Sequence, residues 1–234
     1  MPLVSTAHYY WWTHLMAEAA ALMGRDDDAM YMRNRALLIA SSFNDEFYND
    51  STHVYGSGSQ CSNAIPLVMN IYLNETKQEL VDSLVADIHR HGDRLTTGDV
   101  GNRYLFKALW ENGEQELWYK LLNHYDVPGY GYQLKKGMTT LTEQWNPEHG
   151  ASMNHFMMAH INNHLLQDIV GIKVCKGKLE CIAPHPVGDL SWARGSTEID
   201  GRKITVAWRI ENGHCVIDAD LPEYMKNVPI IYPE

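Results

Sequence analysis

The chain has 234 residues, 45% of them apolar, with 19 basic and 29 acidic side chains and a formal net charge of −10. That length and apolar content can fill a real core and argue against a disordered chain. A surface this acidic repels phosphate backbones and anionic lipid, so nucleic acid and membranes are poor partners.

Seven Trp and thirteen Tyr supply flat apolar faces that suit sugar rings, although most such rings in any protein are simply core. None of the four cysteines (Cys61, Cys175, Cys181 and Cys215) forms a C-x-x-C pair, which leaves a structural zinc site without support. Cys175 and Cys181 are compatible with a disulfide in an oxidising compartment and equally with free thiols. Residues 1–30 lack a secretory-signal pattern and no 18-residue apolar span occurs, so a soluble chain is expected.

Periodicity and stop signals predict seven helices. The first, about Thr6 to Met23, is apolar nearly all round through Tyr9, Tyr10, Trp11, Trp12, Leu15 and Met16, and is expected to be buried on every face. The second, about Asp27 to Tyr48, mixes Leu37, Ala40 and Phe43 with Arg33, Asn34 and Arg35 and has one wet face. The third, about Gln60 to Leu73, is again apolar throughout, and the fourth, about Thr76 to His91, carries one apolar stripe. The fifth (about Asn102 to Glu111) and sixth (about Glu114 to Tyr125) repeat that contrast; the seventh spans about Met153 to Val170 and stops at Gly171.

Alternating buried and one-sided helices are what an inner and an outer ring visited in turn would give, the α/α toroid. The links alternate too, with long ones at 49–59, 92–101 and 126–152. In a closed toroid these fall at one end, where loops on a rigid scaffold build sites. After Gly171 the period changes to two: Ile204, Val206, Trp208 and Ile210, then Asn212-Gly213, then Cys215, Ile217, Ala219 and Leu221. That is a β-hairpin signal. The expected fold is therefore mainly α with a small all-β domain: residues 1–172 form part of a toroid, and residues 173–234 an antiparallel β-sandwich.

The longest link contains the stretch Gly137-Met138-Thr139-Thr140-Leu141-Thr142-Glu143-Gln144-Trp145, in which Glu143 is the one carboxylate. A carboxylate among apolar and hydroxylated neighbours can be held rigid, as general-base work requires; the alternative is an ordinary loop glutamate. Glu148 follows in a surface turn after Pro147. Ser152-Met153-Asn154-His155 is expected to open the seventh helix, with Asn154 and His155 facing the same cavity as Glu143; otherwise Ser152 is a plain cap and His155 is structural. His160 and His164, spaced i, i+4, lack a third ligand and read as polar-face residues. Asp26-Asp27-Asp28 reads as a helix start, not a metal box. No G-x-S-x-G, P-loop or G-x-G-x-x-G is present, which removes several common enzyme classes.

Thr139-Thr140-Leu141-Thr142-Glu143-Gln144-Trp145 followed by Met153-Asn154-His155-Phe156 resembles the signature of family 78 α-L-rhamnosidases, roughly G-A-T-T-x-W-E-x-W and then F-N-H-Y. Gln60 to Ala64, Leu95-Thr96-Thr97-Gly98 and Tyr104-Leu105 resemble that family's T-Q-x-x-x-A, L-T-T-G and Y-L segments. Pro184-His185-Pro186-Val187-Gly188-Asp189-Leu190-Ser191-Trp192-Ala193 resembles the P-x-P-x-G-D-L-x-W-A of its C-terminal β domain. The resemblance covers essentially the whole chain in order.

It implies the C-terminal part of an (α/α)6 barrel followed by a β-sandwich, and removal of terminal α-L-rhamnose from glycans or glycosides with inversion. In such chemistry a carboxylic acid and a carboxylate about 6.5–9.5 Å apart flank the scissile bond. The resemblance implies Glu143 as general base, His155 as a substrate contact and Trp145 as a pocket wall, beside Asn154; it implies no cofactor and no metal. Departures are Thr142 where the family has Trp, a shorter loop between Glu143 and His155, and no D-x-x-x-R-x-E segment to supply the general acid. A partial barrel is expected to need a missing N-terminal segment or to self-associate. Two other readings stay open: a non-catalytic carbohydrate-binding or scaffold fragment, and an inverting α/α-toroid hydrolase for another sugar.

Overall fold

A computed structural model describes residues 2–126 and 128–233. The chain divides into two compact units, Met1–Asn154 and His155–Glu234.

The first unit is helical. Its elements are α1 (Pro2–Leu22), α2 (Asp26–Phe47), a two-stranded hairpin of β1 (Tyr48–Asn49) and β2 (Val54–Tyr55), α3 (Gln60–Met69), α4 (Lys77–Arg90), α5 (Asp99–Glu111), α6 (Gln115–Leu122) and a short α7 (Tyr130–Lys135). The expected alternation is visible in burial. Eight of the ten residues of α3 are buried, against four of the 22 of α2. On α4 the stripe Leu80, Val81, Leu84 and Ile88 faces inward, and on α6 Leu117, Trp118 and Leu121 do. Side chains buried to this degree each contribute about 1.5–3 kcal/mol. Among the described residues no helix is long and apolar enough to cross a membrane.

α1 departs from expectation. Only Leu3, Ala7, Thr13 and Ala17 are buried, while Trp12 is 62% and Met16 55% exposed. Its main packing partner is α2, with α3 beside it, so one side of an all-round apolar helix is covered and the other is not. α3 also stops earlier than its apolar run suggests. Asn70 takes a left-handed conformation (φ 51°) as the C-cap, and the Ile71 N–H closes back on the Pro66 carbonyl at 3.2 Å.

The few polar residues of α3 brace the loops on either side. The Gln60 side chain, fully buried, donates to the Arg94 carbonyl and accepts from the Thr96 N–H, both at 2.9 Å. Asn63 accepts from the Tyr55 N–H at 2.9 Å. Two of the long links are thus pinned from the buried helix between them. α7 lies inside the third. A Cβ on Gly131 would sit 2.5 Å from the His124 carbonyl oxygen, so only glycine lets the chain pass this close at the start of that helix.

The predicted seventh helix, which opens the second unit, starts later than expected. Residues 152–155 are not helical; helix begins at Phe156 and runs as a 3-10 turn (Phe156–His160), one α turn, α8 (Ile161–His164), and a π turn (Leu165–Ile169). His155 is extended (φ −112°, ψ 110°), its carbonyl accepting from the Met158 N–H at 3.2 Å. Within this unit the β3 (Ile172–Cys175) and β4 (Lys178–Ile182) pair and the three-stranded sheet β5 (Trp192–Ile199), β6 (Arg202–Glu211), β7 (His214–Asp220) enclose Ile172, Ile182, Ile199, Ile204, Val206 and Met225. The predicted hairpin is present: Glu211 pairs with His214 across Asn212 (φ 51°) and Gly213 (φ 79°), two positive φ values as a type I′ turn requires. Cys175 and Cys181 are free thiols, and the register sets Cys181 opposite Lys173, Cys175 opposite Lys178.

His164 is buried rather than on a polar face, and it pairs with the half-buried Asp168. His164 Nδ1 lies 2.7 Å from one Asp168 oxygen and Lys173 Nζ 2.6 Å from the other. Burial works to raise the Asp168 pKa, but the hydrogen bonds from His164 and Lys173 outweigh it and the carboxyl is held below its ordinary value. A lowered folded pKa gives stability that is complete above the unfolded value, about 3.9, and is lost as the pH falls through the folded one. Asp168→Asn is therefore expected to lower Tm at pH 7 and to flatten the further loss on acidification below about pH 4, as read by thermal melts across pH. An unchanged acid slope would contradict this role.

Candidate active site

Glu143 sits in the loop that follows α7, and this loop is held from three sides. The first hold is reciprocal: the Glu143 N–H donates to the Ser152 carbonyl at 2.9 Å, and the Ser152 N–H donates to Glu143 Oε2 at 3.2 Å. This bond explains why residues 152–155 are not the start of a helix: the Ser152 N–H and C=O are both engaged by Glu143. The Ser152 hydroxyl donates to the Asn154 carbonyl at 3.2 Å instead of capping.

The second hold is Gln133 of α7, which is fully buried. Its Oε1 accepts from the Thr142 N–H at 3.2 Å, and its Nε2 donates to the carbonyls of Thr142 and Gln144 at 3.3 and 3.4 Å. Thr142, the residue standing where the resemblance expects Trp, is also fully buried, and its hydroxyl donates to the Gln144 carbonyl at 2.7 Å. The residues on both sides of Glu143 are thus clamped by one side chain.

The third hold is Trp145. Its indole N–H donates to the Thr97 carbonyl at 2.7 Å, and its ring meets Tyr130 edge-on at 5.1 Å. Tyr130 accepts from Asn102 Nδ2 at 2.8 Å, and the Thr97 hydroxyl reaches Asn102 Oδ1 at 3.3 Å. Burial pushes the Tyr130 phenol far above its ordinary pKa, so it remains protonated. This network ties the Glu143 loop to the 92–98 loop and the first turn of α5.

That tie brings in a residue the sequence reading passed over. Asp99, the first residue of α5, places a carboxylate oxygen within 4.8 Å of one from Glu143. Asp99 directly follows Leu95-Thr96-Thr97-Gly98. An acidic first-turn residue at the end of a long link was the available signal.

The remaining predicted residues are placed as follows. Asn154 is exposed, and His155 is half-buried with its ring stacked on Phe156 at 5.5 Å. Glu148 is in an exposed turn beside Lys136 Nζ at 2.7 Å, which lowers its pKa. A separate hollow of about 700 Å³ is bordered by Ser57, Ser59, Asp87, Arg90, His91 and Thr96; Glu143 and Asp99 lie outside its lining.

Residues 1–169 match the family model for the bacterial alpha-L-rhamnosidase 6 hairpin glycosidase domain. The chain belongs to this family. The alpha-L-rhamnosidase of Formosa agariphila is 25% identical over 231 residues, covering 94% of this chain and 25% of that protein. Among solved structures, the alpha-L-rhamnosidase of Dictyoglumus thermophilum superposes with a TM-score of 0.83 at 29% identity, over 92% of this chain and 25% of that one. The Streptomyces avermitilis alpha-L-rhamnosidase, solved in complex with L-rhamnose, gives a TM-score of 0.84 at 25% identity, over 94% of this chain and 22% of that one. The chain spans 22–25% of the length of the curated relatives it matches. The helices thus belong to an (α/α)6 barrel of six-hairpin type, and the strands that follow form an antiparallel β-sandwich.

Proposed function

We propose that this chain carries the general base of an inverting α-L-rhamnosidase, Glu143, and that the enzyme removes terminal α-L-rhamnose from glycans or glycosides. The observation that carries the reading is the Glu143 carboxylate held by the Ser152 N–H, on a rhamnosidase-barrel loop whose neighbouring residues Gln133 clamps. A general base must be held within hydrogen-bond reach of the water it activates, and a loop braced at both neighbouring residues provides this.

Residues 1–172 form the barrel portion in this reading and residues 173–234 the β domain. His155, Trp145 and Asn154 contact the sugar. These 234 residues carry no D-x-x-x-R-x-E segment to supply the proton donor, so in this reading the chain by itself turns over no aryl rhamnoside. The exposed face of α1, with Trp12 and Met16, supports further helices or a second copy covering it.

The test is the stereochemistry of the first product. Proton NMR of the full-length enzyme acting on an aryl α-L-rhamnoside should show β-L-rhamnose first, with the α-anomer growing only by mutarotation. The α-anomer appearing first would overturn the inverting reading.

A further inference from the structure

We propose that Asp99 is a second carboxylate of the hydrolytic centre, which with Glu143 holds the attacking water. This rests on the reading of Glu143 as the general base and deepens it. The observation is the approach of the two groups, with carboxylate oxygens within 4.8 Å of each other. Two acceptors, each about 2.8 Å from one water oxygen and set at a tetrahedral angle, are about 4.6 Å apart. A separation within 4.8 Å is thus spanned by at most one bridging water. It is shorter than the separation of about 6.5–9.5 Å between the acid and the base of an inverting pair, so Asp99 is not that pair's proton donor.

The approach is built into the fold. Asp99 is fixed by its position at the start of α5, two residues after Thr97, whose carbonyl takes the Trp145 indole N–H at 2.7 Å. Glu143 is two residues before Trp145 on the other strand of that tie. One hydrogen bond thus joins the two loops that carry the two carboxylates. Glu143 Oε2 accepts the Ser152 N–H at 3.2 Å, which restrains the rotation of the carboxylate.

In the reaction the water oxygen forms the new bond to the anomeric carbon. One water proton passes to Glu143, while the other remains hydrogen-bonded to Asp99. The glycosidic C–O bond breaks with its electron pair on the aglycone oxygen, which takes a proton from the general acid. With both protons of the water directed, its lone pair is aimed at the carbon, which a single acceptor does not achieve.

The experiment compares Asp99→Ala, Asp99→Asn and Glu143→Gln in the full-length enzyme on an aryl α-L-rhamnoside. Asp99→Ala is expected to lower kcat about 100-fold with KM changed less than about threefold, and Asp99→Asn, which keeps one acceptor oxygen, to lose less. Sodium azide supplies a nucleophile that needs no proton removed. It should restore turnover of Asp99→Ala, with the β-glycosyl azide as product, and a merely structural defect would not be restored. Glu143→Gln inactive with Asp99→Ala near parental rates would overturn the role of Asp99 alone. A loss in Asp99→Ala that azide does not restore, with a lowered Tm, would likewise overturn it. An active Glu143→Gln would instead overturn the base on which the proposal rests. Retention of configuration would also overturn it, since a pair at this spacing then reads as nucleophile and acid.

Discussion

Replacing Glu143 with Gln is expected to lower kcat of the full-length enzyme by about 10²–10⁴-fold, the range that general acid–base catalysis contributes. The substitution keeps size and shape. The carboxamide oxygen can still accept the Ser152 N–H that Glu143 Oε2 accepts at 3.2 Å, and the backbone bond from residue 143 to the Ser152 carbonyl is untouched. Folding should therefore be preserved, with Tm within a few degrees of the parent, because a surface-accessible isosteric change away from the core costs about 0.5 kcal/mol or less. Binding of L-rhamnose should survive, because what is lost is the capacity to take a proton. Steady-state kinetics with an aryl rhamnoside, beside a thermal melt, check both halves. Unchanged kcat would remove Glu143 from the chemistry.

Gln133→Ala is expected to produce a loss as large as that of Asp99→Ala, at a residue that touches no substrate. Gln133 is fully buried and makes three hydrogen bonds to the backbone of Thr142 and Gln144. Truncation leaves the Thr142 N–H and carbonyl without their partner, at about 1–3 kcal/mol for each group that stays buried and unsatisfied. The loop will relax to recover those bonds with water, and Glu143 will move with it. A displacement of about 1 Å at a reacting group costs about 100-fold in rate, so kcat should fall by about that factor while KM stays nearly level. A variant with normal kcat and a reduced Tm would show that Gln133 stabilises the loop without positioning the base.

Much of this architecture is legible in the residues themselves. Ile204, Val206 and Trp208 point inward from β6 as their alternation predicts, and Asn212-Gly213 makes the turn that residues tolerating positive φ make. The buried α3 and the one-sided α4 follow from composition around the helix. What the sequence does not display is long-range hydrogen bonding. Ser152 to His155 carry helix-start residues, yet Glu143, nine positions upstream, occupies the Ser152 backbone, and helix begins only at Phe156. α7 is hidden in the longest link because Gly129 and Gly131 mask its start, and glycine is there for close passage of the chain past His124. α1 reads as buried all round from its apolar faces, but burial depends on which neighbours pack against it, and a local pattern does not count neighbours.

The candidate site divides in the same way. Glu143 stands out as a lone carboxylate in a Thr- and Trp-rich run, a property of adjacent residues. Asp99 and Gln133 acquire their roles only through the fold: Asp99 through the Trp145–Thr97 bond, Gln133 through burial within a short helix. Trp145 has a clear structural task as well as its proposed place beside the sugar.

A crystal structure of the full-length Glu143→Gln enzyme with an intact α-L-rhamnoside bound is the most direct test. The account predicts the residue-143 carboxamide on the side of the sugar ring opposite the leaving oxygen, with one ordered water between it and the anomeric carbon. A rhamnoside whose anomeric carbon lies remote from residue 143, with no water joining them, would contradict it.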